Sequence, residues 1–228
     1  MKRIKVIGFD ADDTLWENEI YFRESEKKFF ELLKDYAPAK EIEKKLYNIE
    51  TINIPLFGYG VKSFTLSMIE TALQISKNKV KADVINQIME IGREQLEKPV
   101  VLLPFVRGVL ERLAGNYKLI VVTKGDLLDQ ELKLQRSGLK PFFHHVEIVS
   151  HKTETEYTKV IKHLDIRPNQ FMMVGNSIKS DILPVLRSGA KAVYIPHESV
   201  WIHEIADAPV GNPKFRQIHS ILDLLRFA

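Results

Sequence analysis

An apolar run over residues 4–9 stops at two aspartates, Asp10 and Asp12, two positions apart. Similar β-rich runs recur from residue 100 onward, at 118–122, 146–149, 171–174 and 192–195. Between them lie stretches with helical spacing of apolar residues, at 105–115, 126–137, 154–164 and 178–188. Gly115, Gly138 and Gly189 stand where C-terminal helix caps belong, and Pro104 suits a helix start. Continuous apolar strands separated by single helices predict an α/β fold, a doubly wound parallel sheet covered on both faces. The last stretch, 215–227, reads as a short strand or edge and a closing helix.

Residues 17–97 break this alternation. They read as helices throughout, at 19–34, 39–51, 62–75 and 81–96, with Pro38, Pro55, Gly58 and Gly60 in the loops. The expected organisation is therefore an α/β core, residues 1–16 and 98–228, interrupted by an all-helical insert, residues 17–97. No internal repeat or low-complexity tract is visible.

Ligands of open α/β sheets bind beyond the carboxyl ends of the strands. The residues that follow the apolar runs are Asp10 and Asp12; Thr123, Lys124, Gly125 and Asp126; Ser150, His151 and Lys152; and Gly175, Asn176 and Ser177, with Ser180 and Asp181 after them. Alternation along a strand would put Asp10 and Asp12 on one side, roughly 7 Å apart. Paired carboxylates repel, and call for a cation or a protonated partner. A hard, oxygen-liganded ion such as Mg²⁺ meets that need. Taken alone, Asp10–Thr14 also suits a turn capping a helix. His144 and His145 resemble a metal pair, but neighbours in an extended segment face opposite ways, so a solvent-exposed turn is expected there. Lys159 falls within a helix and reads as a solvated-face residue, and Asp126 reads as a helix cap.

Four of these strand ends resemble the motifs of the haloacid dehalogenase superfamily, most closely its phosphatases with a helical cap inserted after the first strand. They are Asp10-Ala11-Asp12-Asp13-Thr14, then Val121-Val122-Thr123, then Lys152, then Gly175-Asn176-Ser177 with Asp181. The resemblance covers essentially the whole chain. It implies a Rossmann-like core, a helical cap, and Mg²⁺ as cofactor. It implies Asp10 as nucleophile forming an aspartyl-phosphate and Asp12 as general acid and base. It further implies Thr123, Lys124, Gly125 and Lys152 as phosphate-binding groups, and Asp10, Asp12, Asn176 and Asp181 as metal ligands. The family usually has Asp where this chain has Asn176, which leaves open whether Asn176 or Asp181 is the direct ligand.

The expected function is a Mg²⁺-dependent phosphatase acting on a small phosphorylated metabolite. The alternatives are a phosphomutase using the same intermediate, a 2-haloacid dehalogenase, and a non-catalytic binding protein on the same fold. Asn53, Lys62 and Ser63 are the polar groups that could orient a sugar in a phosphomutase. Asp12 and Asp181 argue against a dehalogenase, and retention of Asp10 and Asp12 argues against a binding protein.

Net charge is +3, yet Lys and Glu interleave along the helices without a basic stripe, so nucleic acid is not an expected partner. No run reaches the length of a membrane span, and the first residues, which lead straight into a strand, lack the apolar segment of a signal peptide. Without cysteine, disulfides and thiolate metal sites are excluded. A cytoplasmic location is the default expectation. Oligomeric state is not encoded legibly.

Overall fold

The computed structural model describes residues 4–227; residues 1–3, the expected lead-in to the first strand, lie outside them. The chain divides into two units. One holds the residues up to Glu19, Val100–Lys124 and everything from Gln130 onward. The other holds Ile20–Pro99 and Gly125–Asp129.

The first unit is built on six parallel strands: β1 (Val6–Phe9), β2 (Lys118–Lys124), β3 (His145–Val149), β4 (Phe171–Gly175), β5 (Lys191–Tyr194) and β6 (Phe215–Gln217). Their spatial order is β3-β2-β1-β4-β5-β6. All four residues of β1 are buried, as a central strand requires. Alternation then sorts the side chains. Ile7, Phe9, Leu119, Val121, Met172 and Val174 join one apolar layer, and Val6, Ile120, Val122, Phe171 and Met173 join the other. The first layer is closed by Val109, Leu110 and Leu113 of α5 (Val106–Ala114), Leu134 of α6 (Leu127–Ser137) and the C-terminal Ile221 and Leu224. The second is closed by Tyr157, Val160 and Ile161 of α7 (Glu154–His163) and Val185 of α8 (Leu183–Arg187). Each such aliphatic side chain stabilises the fold by about 1.5–3 kcal/mol. Gly8 leaves room for a neighbour: a Cβ there would stand 2.7 Å from the Phe171 ring.

The strand order turns back between β1 and β4, which places a crevice at their carboxyl ends. Asp10 lies there directly, its N–H donating to the carbonyl of Val174 at 2.9 Å.

The second unit contains α1 (Glu19–Leu32, less its first residue), α2 (Ala39–Phe57), α3 (Val61–Ile75) and α4 (Ala82–Glu97). It has a core of its own, with Phe29, Leu33, Ile42, Leu46, Phe64, Met68 and Ile88 buried together. A Cβ on Gly92 of α4 would stand 2.2 Å from Thr65 Oγ1 of α3, so the missing side chain lets these two helices approach.

Several local expectations are corrected. Helix α2 does not stop at 51 but runs through Pro55 to Phe57. The proline falls in the last turn, where little helix remains to be broken, and Gly58 closes that turn by donating to Ile54 at 2.9 Å. The 178–188 stretch is not one α-helix but a π-helical turn, Ile178–Ile182, leading into α8. The closing helix is a 3-10 segment, Ile221–Arg226, capped by Ser220. Gly138 and Gly189 take the left-handed conformation expected of helix caps, but Gly115 stays at φ −71. His145 does not sit in a turn: it begins β3, opposite Ile120.

Candidate active site

Strand β1 ends at Phe9, so Asp10 to Trp16 form a loop and not a strand extension. The loop is held tightly, with Leu15 N–H donating to Ala11 at 2.8 Å and Asp13 N–H to Trp16 at 2.8 Å. Asp13 takes φ +58, a conformation that aspartate tolerates better than most residues. Its carboxylate accepts the N–H groups of Asn18 and Glu19 at 2.9–3.0 Å, which caps the start of α1. Burial pushes the Asp13 carboxyl up to about 6. The turn brings the Thr14 hydroxyl back beneath Asp10, where it lies 3.1 Å from Asp10 Oδ2 and 3.3 Å from Asn176 Oδ1.

Lys152 follows β3 and immediately precedes the Thr153 cap of α7. Its buried ammonium donates to Asp10 Oδ1 and, at 2.7 Å, to Asp181 Oδ1. Asp181 lies in the π-helical turn after β4 and is 1% exposed. Its second oxygen accepts Ser177 N–H at 3.1 Å, and the Tyr157 hydroxyl lies 3.4 Å from the first. The wide turn and the bare Gly175 together admit this carboxylate: a Cβ on Gly175 would stand 2.4 Å from Asp181 Cγ. The structure thus brings buried Asp10, Thr14, Lys152 and Asp181 and half-buried Asn176 into one cluster.

The electrostatics follow. Burial and the neighbouring Asp181 charge push the Asp10 carboxyl up to about 7, with Lys152 pulling the other way. For Lys152 burial opposes the charge, but Asp10 and Asp181 outweigh it and raise the ammonium above its usual range. Two carboxylates around one ammonium leave a buried net negative charge, which a further cation would relieve. The available donors are carboxylate oxygens and the Asn176 carboxamide oxygen, a hard set that suits Mg²⁺ and not a soft metal.

Asp12 has separate partners. Its Oδ1 accepts Trp16 Nε1 at 2.8 Å and Lys133 Nζ at 2.9 Å, and its Oδ2 accepts Gln130 Nε2 at 2.8 Å. Burial works to raise its pKa, but these three donors, Lys133 foremost, outweigh burial and hold it below the ordinary carboxylate value. A neighbouring carboxylate therefore does not keep Asp12 protonated, as the sequence spacing suggested; each aspartate has an ammonium of its own.

Thr123 ends the buried part of β2 with its hydroxyl 3.3 Å from Gln130 Oε1, so Gln130 links it to Asp12. Lys124 turns elsewhere, donating to Ser180 Oγ at 3.1 Å and pairing with Glu204. Gly125 takes φ +143. Asp126 accepts the N–H of Asp129 at 3.1 Å, as a helix cap does, and Lys159 pairs with Glu156 on the surface of α7.

Sequence reasoning missed Gln130, Lys133 and Glu204. The first two stand three apart on α6 and share a face, but nothing along the chain ties that face to Asp12. Glu204 carried no such signal. It sits in a short 3-10 turn after β5, where Ser177 Oγ and Lys124 hold it ionised against burial.

A family-wide profile described as a haloacid dehalogenase-like hydrolase matches residues 4–189. A haloacid dehalogenase-like family hydrolase from Xanthomonas campestris superposes with a TM-score of 0.87, at 36% identity, over 98% of this chain and 91% of that one. Glyceraldehyde 3-phosphate phosphatase of Pyrococcus furiosus is 28% identical, over 86% of this chain and 82% of that protein. N-acylneuraminate-9-phosphatase of Mus musculus is 21% identical, over 98% of this chain and 93% of its own length. Matched by the family profile over residues 4–189 and by a solved relative along nearly its whole length, the chain belongs to the haloacid dehalogenase-like hydrolases.

Proposed function

We propose that this protein is a Mg²⁺-dependent phosphatase that hydrolyses a small phosphorylated metabolite through an aspartyl-phosphate on Asp10. The observation that carries this reading is Asp10 itself: a buried carboxylate, anchored through Thr14 and Lys152, at the crevice of a parallel sheet. Its named relatives act on phosphate monoesters of different carbon skeletons, which supports the reaction class more than any one substrate.

In this reading an Asp10 oxygen attacks phosphorus and the bond to the leaving oxygen breaks. Asp12 gives that oxygen a proton, then takes one from the water that cleaves the acyl phosphate. The observed partners of Asp12 suit the second step, since Lys133, Gln130 and Trp16 favour the ionised base. A phosphate dianion beside it raises its pKa and favours the protonated form needed first. Lys152 offsets negative charge on nucleophile and phosphate together. Asp10, Asn176, Asp181 and the Asp12 backbone carbonyl would hold Mg²⁺, which supplies positive charge against the repulsion between carboxylate and phosphate. Thr123 and the neighbouring N–H groups would bind the phosphoryl oxygens. The helical block, residues 17–97, would act as the cap that reads the leaving group.

Nothing favours transfer to a sugar instead. Asn53 donates to Ser67 at 3.2 Å and Glu70 at 3.0 Å, and Ser63 is buried with its carbonyl bonded to Ser67, all inside the helical unit.

The test is hydrolysis of an aryl phosphate with Mg²⁺, with excess chelator, and by Asp10→Asn. Turnover should require the ion and fall by at least about 10⁴-fold in the variant, as for loss of a nucleophile. Metal-independent turnover, or full activity in Asp10→Asn, would overturn the assignment.

A further inference from the structure

On either side of Lys152 in the chain, His145, Glu147 and His163 converge on one point. His145 and Glu147 share a face of β3, which is the edge strand of the sheet, and His163 ends α7. Both imidazoles address the same carboxylate oxygen: His145 Nε2 lies 2.8 Å and His163 Nδ1 3.2 Å from Glu147 Oε1. The two rings stand nearly perpendicular, 83° apart with centroids 5.1 Å distant, so they flank a common point without stacking.

We propose that His145, Glu147 and His163 form a binding site for a borderline transition-metal ion of the Zn²⁺ class. Two imidazoles and one carboxylate suit such an ion and not Mg²⁺, which prefers oxygen ligands throughout. The spacing fits as well. A tetrahedral ion with bonds of about 2.0–2.1 Å places its ligand atoms roughly 3.4 Å apart. The three donor atoms already lie within 4.8 Å of one another, and the two histidine–carboxylate separations, 2.8 and 3.2 Å, need to open by only about half an ångström or less. Both histidines are partly exposed, so an ion can enter directly, and three protein ligands leave a fourth position for water. His144, the neighbour that made the sequence look like a metal pair, is not part of the site.

The ion would tie the first residue of β3 to the last turn of α7. These are the two open ends of the strand-loop-helix unit whose loop carries Lys152. Its effect is therefore structural: it clips this unit at the end opposite the loop, and occupancy stabilises the native state by mass action. The site rests on geometry separate from the phosphatase reading, and neither depends on the other.

The experiment is a Zn²⁺ titration of the full-length protein with Mg²⁺ present in excess. Binding is followed by calorimetry and by the ring resonances of the seven histidines. One site is expected, with shifts concentrated on His145 and His163 and a raised Tm. His163→Ala and Glu147→Gln should each weaken binding at least tenfold and remove the Tm gain, with Mg²⁺-dependent turnover unchanged; His163 is exposed, so its loss leaves the fold intact. Equal shifts at the other five histidines, or undiminished affinity in both variants, would overturn the proposal.

Discussion

At the scale of single residues, Asp12 shows how neighbours decide an ionisation that burial alone would settle the other way. Lys133 is the decisive neighbour, with an ammonium 2.9 Å from Asp12 Oδ1. Lys133→Met removes a positive charge from beside a buried carboxylate, so the pKa of Asp12 rises. In the proposed mechanism, the step that needs Asp12 ionised then requires a higher pH. The acid limb of the kcat profile moves up, and on its acid side activity drops about tenfold for every pH unit of movement. A pH–rate profile of the variant checks this, and an unmoved limb would detach Lys133 from the chemistry. The residues that meet at the strand ends were legible in the sequence where each stands just beyond an apolar run, as Asp10, Lys152 and Asn176 do. Lys133 and Gln130 were not, because they reach Asp12 across more than a hundred positions and their helix carries ordinary surface polarity elsewhere. Glu204 was hidden for a different reason: its short turn has no periodicity to read.

At the scale of elements, the junction of β4 with the following π-helical turn is where backbone shape and chemistry meet. Gly175→Ala would drive a methyl group to within 2.4 Å of Asp181 Oδ2 and displace that carboxylate from Lys152. The expected cost in stability is about 1–3 kcal/mol, as for overpacking generally. The expected loss in kcat/KM is much larger in proportion, about 10²-fold, because misplacement of a positioning group by an ångström is enough. Thermal melts beside steady-state kinetics separate the two effects; a variant with full activity would show that Asp181 tolerates the shift. The alternation of strands and helices was legible because a doubly covered strand leaves a continuous apolar run. The π-turn was not, since Ile178, Ile182 and Val185 satisfy helical spacing whether the turn is wide or regular. Pro55 misled for the converse reason, marking a helix end at 51, six residues before the helix stops.

At the scale of the whole molecule, two apolar layers flank the sheet and a third core belongs to the helical unit alone. Phe29→Ala empties the centre of that third core and should destabilise it by about 3–5 kcal/mol. Hydrogen exchange should then show lost protection in α1 to α4 while β1 and β4 keep theirs. Equal loss in both units would mean that they open together. Along the sequence the period changes from strand-helix alternation to helices only over residues 17–97. No local pattern in the sequence marks residues 125–129, a short link and the first residues of α6, as grouping with the helical unit.

The central place of β1 carries a consequence for synthesis. Val6–Phe9 leaves the ribosome before the other strands, but its pairing partners begin at Lys118 and Phe171. At about 5–20 residues per second, the strand waits on the order of ten seconds for its first neighbour. Meanwhile Phe29, Met68 and Ile88 all emerge and can close their own core. The first strand of the sheet is thus kept unpaired longest, and a translational pause between residues 99 and 118 prolongs the exposure of the strand on which the rest of the sheet assembles.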